Sequence, residues 1–360
     1  LELFHGPTLA FKDIAMQVIG NMYEKILEKR NKKINIIVAT SGDTGAAAID
    51  AIKNKKNMKV FVLHPDNKIS NVQRKFMTTV NSKNVFNIAL AGNFDDCQKI
   101  IKSMFADKNF NSSIEMSGVN SINWARIVIQ IVYYFFAYFK IAKNYEEINF
   151  SVPTGNFGDI YAGYVAKKMG LPINKLIIAT NKNDILKRVI ASGVYQPQKV
   201  EYTVSPSMDI QLASNFERLI FDICNHDSEK VVNLMNNLNK EGEFKLEKED
   251  LKKISKTFFS DSLSDSETKA VIKKIYEEEG ILVDPHTAVA IGVTDKIPLR
   301  EKNIILSTAH PAKFSEIVME ATNIKAELPD NLKSILLKKE NCDKLPNDLK
   351  TVQNYILNKI

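Results

Sequence analysis

Cysteine is scarce: Cys97, Cys224 and Cys342 are the three in 360 residues, far apart and without CxxC or Cys/His ligand spacing. This excludes a disulfide framework and a zinc site, and it fits a reducing, cytoplasmic setting. The five histidines form no HExxH-like pair, so no metal centre is expected. No GxxxxGK[ST] or GxGxxG loop occurs, which disfavours nucleotide binding. The most apolar stretch, Ile127 to Phe139, is too short to span a bilayer and carries Gln130, so it reads as a buried helix. Charge of one sign is lacking too: 49 basic and 42 acidic residues interleave. The short clusters at 29–33 and 53–59 read as solvated faces rather than as a nucleic-acid arm. A start without methionine, inside a motif and with no signal-peptide pattern, reads as a fragment lacking its N-terminal segment.

At 44% hydrophobic and 25% charged, the chain is that of a soluble globular protein with two domains. Its net charge of +7 suits an anionic small-molecule substrate. Neither nucleic acid nor membrane is expected as a partner.

The opening stretch, LELFHGPTLAFKDIAMQ, places Lys12 between Phe11 and Asp13. Ile14, Val18, Met22 and Ile26 recur at helical spacing, so the lysine sits at the first turn of a helix ending near Arg30. Gly6, Pro7 and Thr8 make a turn before it. An apolar neighbour such as Phe11 lowers an ammonium pKa by desolvation and makes a lysine a nucleophile; the alternative is a solvated lysine at a helix start.

Three turns suited to anions follow. The buried-type strand 34–39 runs into Ser41, Gly42, Asp43 and Thr44 and then a helix over 46–52, which presents backbone N–H groups and the positive end of a helix dipole. The same turn could be an ordinary strand-to-helix turn capped by Asp43 or Thr44. Asn120, Ser121, Asn123 and Arg126 precede a long helix over 127–143. There Arg126 can bind a phosphate bidentately with Ser121 and Asn123, or the asparagine and serine merely cap the helix and Arg126 is a surface residue. The strand 148–152 feeds Gly155, Asn156, Phe157, Gly158 and Asp159 and a helix over 160–169, the strongest phosphate cradle in the chain.

Between these turns the pattern predicts strands at 60–63, 85–90 and 175–180, with a break at His64-Pro65 and helices over 72–80 and 95–105. Strand and helix alternate, which implies a parallel α/β architecture. Residues 181–184 end a strand where open sheets place their sites, and 205–218 is a loop and helix start. Residues 222–280 read as a polar helical cover. Strands ending in polar turns return at 281–287 and 304–314, and a charged helical tail follows from 328.

One reactive lysine, two or three phosphate-grade turns and no metal or nucleotide motif point to a cofactor with both an aldehyde and a phosphate, pyridoxal 5'-phosphate. A further phosphate turn needs a phosphate brought by the substrate.

LELFHGPTLAFKD, SGDTGAA, NSINWAR, PTGNFGD and TAHPAKF occur in the order and style of the threonine synthase family, pyridoxal-phosphate enzymes of fold type II, and the resemblance runs from Leu1 to the last helix. It implies an α/β fold like the tryptophan synthase β chain: two lobes of parallel or mixed sheet flanked by helices, with the active site in the cleft between them. The large cofactor-binding lobe would comprise 1–33 and 144–327, the small substrate-binding lobe 34–143, and the helical tail 328–360. By this resemblance Lys12 binds the cofactor covalently and shuttles protons. Gly155, Asn156, Phe157 and Gly158, with Asp159, hold its phosphate, and Thr308 bonds its pyridine nitrogen. Ser41, Gly42, Asp43 and Thr44, with Thr8, face the substrate, the first set at its carboxylate. Asn120, Ser121, Asn123 and Arg126 take the substrate phosphate, and no metal is involved.

The implied reaction converts O-phosphohomoserine and water to threonine and phosphate, in a monomer or homodimer. The released phosphate, held near Arg126, could serve as the base that activates water. The family carries a segment ahead of LELFHGPT. The alternative within the class is a phospho-lyase or dehydratase releasing a keto acid and ammonia; outside it, a catalytically silent cofactor-binding protein, against which Lys12 and Arg126 together argue. His5 and His286 either touch substrate or satisfy local hydrogen bonds.

Overall fold

The structure, a computed structural model, describes residues 1–66 and 69–360. Helix α1, Lys12–Arg30, is closed by Asn31 in the left-handed region. The Ile14, Val18, Met22 and Ile26 stripe that identifies the helix is exposed; Ala15, Met16, Ile19, Gly20 and Leu27 form the buried face. Gly20 lies at the closest approach. A Cβ on Gly20 would lie 2.6 Å from the carbonyl oxygen of Ala51, so only glycine allows α1 this close to the helix α2, Asp43–Ile52.

The strands β1 (Ile34–Ala39), β2 (Met58–Pro65) and β3 (Val85–Ala91) are largely buried apolar runs, with α3 (Asn71–Thr78), α4 (Phe94–Ala106), α5 (Lys108–Ser113) and the two-residue β4 (Met116–Ser117) around them. His64 and Pro65, expected to break the chain, extend β2. The pairing with β1 ends at Leu63, so the N–H that proline lacks falls beyond that ladder.

Helix α6, Trp124–Ile141, starts before its expected position because Asn123 caps it, accepting from the Ala125 N–H at 3.0 Å. It is not a fully buried helix: Val128, Val132, Phe136 and Phe139 are exposed. By length and composition alone it is apolar enough to cross a membrane, with 44% of it buried.

Next come β5 (Ile148–Pro153), α7 (Gly158–Lys168), β6 (Ile173–Thr180), α8 (Ile185–Ser192), β7 (Val194–Tyr195), α9 (Phe216–Ile223), α10 (Ser228–Glu241), β8 (Phe244–Lys245) and α11 (Lys248–Thr257). They lead into β9 (Phe258–Ser262), α12 (Asp265–Glu279), α13 (Pro285–Asp295), β10 (Asn303–Ile305) and α14 (Ser315–Thr322). Two expectations are corrected here. The polar 222–280 segment is not only a helical cover, because β9 pairs in parallel with β6 and completes a sheet. Residues 281–283 form no strand, because Asp284 caps α13 directly after them. The chain ends in α15 (Asp330–Lys333), β11 (Asp343–Pro346) and α16 (Leu349–Leu357).

Contacts divide the chain into two units. One comprises Phe4–Arg126 with Glu327–Ile360, built on a parallel sheet of order β11-β3-β2-β1-β4. Its core joins Phe61, Leu63, Ile88 and Leu90 to Met104, Val352 and Ile356. The other comprises Leu1–Leu3 with Ile127–Ala326, built on the parallel sheet β10-β5-β6-β9. The packing of α1 on α2 groups 4–33 with the β1 to β4 segment, where the sequence suggested the other lobe. The tail is not merely helical: β11 extends the sheet beyond β3.

Candidate active site

In the first unit the lysine turn is built around Asp13, which is 1% exposed. Its carboxylate accepts from the Thr8 N–H at 2.8 Å, from the Thr8 hydroxyl, and from the Ala10 N–H at 3.5 Å. Gly6 is obligatory, since a Cβ there would fall 2.6 Å from Asp13. These contacts set Lys12 as the first residue of α1. Its Nζ lies 4.6 Å from the Phe11 ring centroid and 3.5 Å from Asp43 Oδ2. The apolar neighbour expected from sequence is present, and an acid that sequence did not associate with the lysine accompanies it.

Asp43 opens α2 and is buried. Its Oδ1 accepts from Gln73 Nε2 at 2.8 Å, and Gln73 Oε1 in turn accepts from Ser70 Oγ at 3.1 Å. Asp43 therefore does not cap α2, which has no side-chain cap; the turn is instead held by Thr40 Oγ1, accepting from the Gly42 and Gly45 N–H groups at 2.9 Å each. Gly42 sits at φ +139°, and a Cβ there would meet Gln73 at 2.7 Å. Ser41 and Thr44 flank this carboxylate and are half-buried. Of this set, Asp43 is the residue whose carboxylate is paired with Lys12 and Gln73.

At the α6 start, Asn123 Nδ2 donates to Tyr23 Oη at 3.1 Å and to the Gly118 carbonyl at 3.3 Å. Arg126 is 3% exposed and gives Nη1 to the Val119 carbonyl at 3.1 Å, so it is not a surface arginine. Ser121 is half-buried and Asn120 exposed.

In the second unit, Thr154 leaves β5 with its N–H on the Ala179 carbonyl at 2.8 Å. Gly155 follows where no side chain fits: a Cβ would lie 2.9 Å from the Ser207 carbonyl oxygen and 3.1 Å from Ile210 Cγ1. The Asn156 carbonyl accepts from the Asn215 N–H at 3.1 Å and from Asn215 Nδ2 at 3.0 Å. Phe157 adopts the left-handed conformation, φ 64°, and its buried ring meets Phe216 edge-on at 5.3 Å. That ring anchors a backbone conformation few non-glycine residues take. Gly158 opens α7, whose N-terminus has no side-chain cap. A glycine-walled turn at an uncapped helix N-terminus has the donor set of a phosphate site.

Asp159 is engaged elsewhere: Tyr134 Oη donates to its carbonyl at 2.8 Å and lies 3.2 Å from its Oδ1. Burial pushes the Tyr134 phenol well above its ordinary range, so it remains a donor. Thr308 is 7% exposed and follows Ser307, whose backbone bonds Leu1 and Leu3 and whose Oγ lies 3.0 Å from Thr287 Oγ1. Lys313, in the same motif, is 1% exposed. Sequence reasoning passed over it, although a lysine flanked by apolar residues in HPAKF is a signal of burial. Gln73 and Tyr134 were also missed, and neither stands in a recognisable motif. Among the described residues no cluster of metal-ligand type occurs.

Comparison with known proteins matches residues 1–237 to the family described as pyridoxal-phosphate dependent enzyme and residues 287–356 to threonine synthase, C-terminal. The chain is 45% identical to threonine synthase of Pseudomonas aeruginosa over 99% of its own length and 76% of the relative's. To the Saccharomyces cerevisiae enzyme it is 44% identical, again over 99% of the chain and 76% of the relative. The pyridoxal-phosphate-bound crystal structure of threonine synthase from Brucella melitensis superposes with a TM-score of 0.96 at 46% identity, covering 100% of this chain and 78% of that one.

Proposed function

Because this chain belongs to the threonine synthase family, we propose the following roles for its residues in converting O-phosphohomoserine and water to threonine and phosphate. The enzyme is a lyase dependent on pyridoxal 5'-phosphate. That cofactor, when bound, supplies an aldehyde for an amine and an electron sink that acidifies the carbons next to the amino group.

The residues present fit it. Lys12 holds the aldehyde carbon through Nζ and moves protons at the substrate carbons, with Asp43 at 3.5 Å keeping that nitrogen in place. The backbone N–H groups from Gly155 to Gly158 hold the cofactor phosphate, in a turn where a Cβ on Gly155 would intrude on the neighbouring Ser207–Ile210 segment. Thr308 meets the pyridine nitrogen with a neutral hydroxyl. Ser41, Gly42 and Thr44, with Thr8, bind the amino-acid end of the substrate, and Asp43 serves the lysine rather than the carboxylate. Asn120, Ser121, Asn123 and Arg126 bind the substrate phosphate, with the guanidinium as the fixed fork. Asp159 supports the phosphate turn from behind through Tyr134. The enzyme works in the cytoplasm on this small molecule, as a monomer or homodimer.

The observation that carries this reading is Lys12 at the start of α1 beside the buried Asp43. It is tested by an absorbance spectrum of the chain with pyridoxal phosphate, borohydride reduction and peptide mapping, with threonine and phosphate assayed from O-phosphohomoserine. Reduction should mark Lys12 and both products should appear in equal amounts. A keto acid in place of threonine would instead establish a lyase of the alternative kind, and a folded chain with unmodified Lys12 would remove the basis of the assignment.

A further inference from the structure

His286 stands outside the residues assigned above, yet it is 3% exposed and fully engaged. Its Nδ1 lies 2.6 Å from Asp284 Oδ2, and its Nε2 lies 3.2 Å from the backbone nitrogen of Ser207. A backbone N–H can only donate, so Nε2 is the acceptor and the proton is on Nδ1, directed at Asp284. Asp284 is wholly buried and fixed in turn, accepting from the His286 N–H at 3.0 Å and the Thr287 N–H at 3.1 Å as the cap of α13. Phe314 packs edge-on to the imidazole at 4.8 Å. The ring has one orientation and one tautomer.

The peptide it holds matters because of what lies on its other side. The Ser207 carbonyl oxygen is one of the atoms that leave no room for a Cβ on Gly155. The rest of that loop is anchored to the end of β6: Asn181 Nδ2 donates to Ser205 Oγ and to Asp209 Oδ1, each at 2.9 Å, and Asn183 Nδ2 lies 3.2 Å from Asp209 Oδ1. The Ser207 N–H is thus the loop's anchor to α13, and its carbonyl is the wall of the phosphate turn.

We infer that His286 is a positioning residue for the cofactor phosphate turn: oriented by Asp284, it fixes the Ser207 peptide against Gly155 and so sets the backbone that receives the phosphate. This rests on the reading of Gly155 to Gly158 as the cofactor phosphate site. It acts through Ser207 and requires no contact with substrate or cofactor.

Two substitutions separate positioning from simple structural support. His286→Asn keeps an N–H for Asp284 but falls short of Ser207, whereas His286→Gln places an acceptor near the Nε2 position. Pyridoxal phosphate affinity is measured by fluorescence and absorbance titration of the full chain, with thermal unfolding of each cofactor-free protein as the fold control. His286→Asn should weaken affinity about tenfold, the scale of one buried hydrogen bond, and His286→Gln should stay within about threefold of wild type. If His286→Asn does not fold, His286→Leu replaces it: it keeps apolar bulk against Phe314 and offers Ser207 no acceptor, with the same loss expected. Wild-type affinity in the folded Asn variant, or equal loss in Asn and Gln, would overturn the inference. A wild-type chain that takes up no cofactor would overturn the site reading and this inference with it.

Discussion

Asp43 and Lys12 form a charge pair, and the two substitutions at Asp43 separate charge from shape. Asp43→Asn keeps an oxygen for Gln73 Nε2 and removes the counter-ion of Lys12; Asp43→Ala removes both. We expect the Asn variant to melt near wild type with turnover reduced about 10²-fold, on the scale of general acid–base contributions, and the Ala variant to lose stability as well. Steady-state kinetics and thermal unfolding check this, and wild-type turnover in Asp43→Asn would remove Asp43 from the lysine's function. Arg126→Lys keeps the charge and loses the planar fork. Cofactor uptake should be unchanged while kcat/KM for the phosphorylated substrate falls by about tenfold or more, the scale of a lost bidentate contact; an unchanged ratio would take the substrate phosphate away from Arg126. The motif residues were legible at this scale because each motif marks itself locally: a glycine where no Cβ fits, a lysine at a helix start. The Asp43 partners were not, because Lys12 and Gln73 lie far from it along the chain in either direction and only the packing of α1, α2 and α3 unites them.

Helix α12 begins with a reciprocal cap in which Glu267 Oε2 accepts from the Ser264 N–H at 2.7 Å and Ser264 Oγ accepts from the Glu267 N–H at 3.3 Å. The Ser264 backbone bond, aided by Lys296 at 2.9 Å, holds the Glu267 carboxyl down to about 2. A folded-state value below the unfolded one means stability is present above the ordinary 4.5 and lost as pH falls toward about 2. Ser264→Ala should cost about 1 kcal/mol in urea unfolding at neutral pH. The gap between wild type and Glu267→Gln should narrow as pH drops through that window, and a gap constant with pH would exclude ionisation of Glu267 as its source. Elements with such punctuation, or with a buried β-branched run such as 34–39, could be located from sequence. β9 could not: FFSDS has two apolar residues and then polar ones, and it is a strand because β6 offers an open edge. Residues 281–283 misled in the opposite sense, an apolar run whose neighbour Asp284 begins a helix instead.

The C-terminal segment shows how little composition says about a segment's place in the whole molecule. Residues 343–346 are largely exposed and charged, as expected of a tail, yet they pair with β3 from Ile88 to Ala91. Val352 and Ile356, one helical turn apart on α16, are completely buried against the core of the first unit, and their polar neighbours hide that stripe from any average over the segment. The chain's last residues therefore complete the core begun by β2 and β3, and the sequence distance between them obscured this. Ile356→Ala should destabilise the first unit by about 2–5 kcal/mol, as expected when a buried isoleucine leaves a cavity, measured by urea unfolding. Removing 343–360 should do more, since it uncovers the edge of β3 together with the apolar face that α16 covers, and an open edge invites association. Size-exclusion chromatography should then show aggregate in place of a single species. A monodisperse shortened chain, with Ile356→Ala unfolding within about 0.5 kcal/mol of wild type as a surface change would, would mean that the segment is an appendage after all.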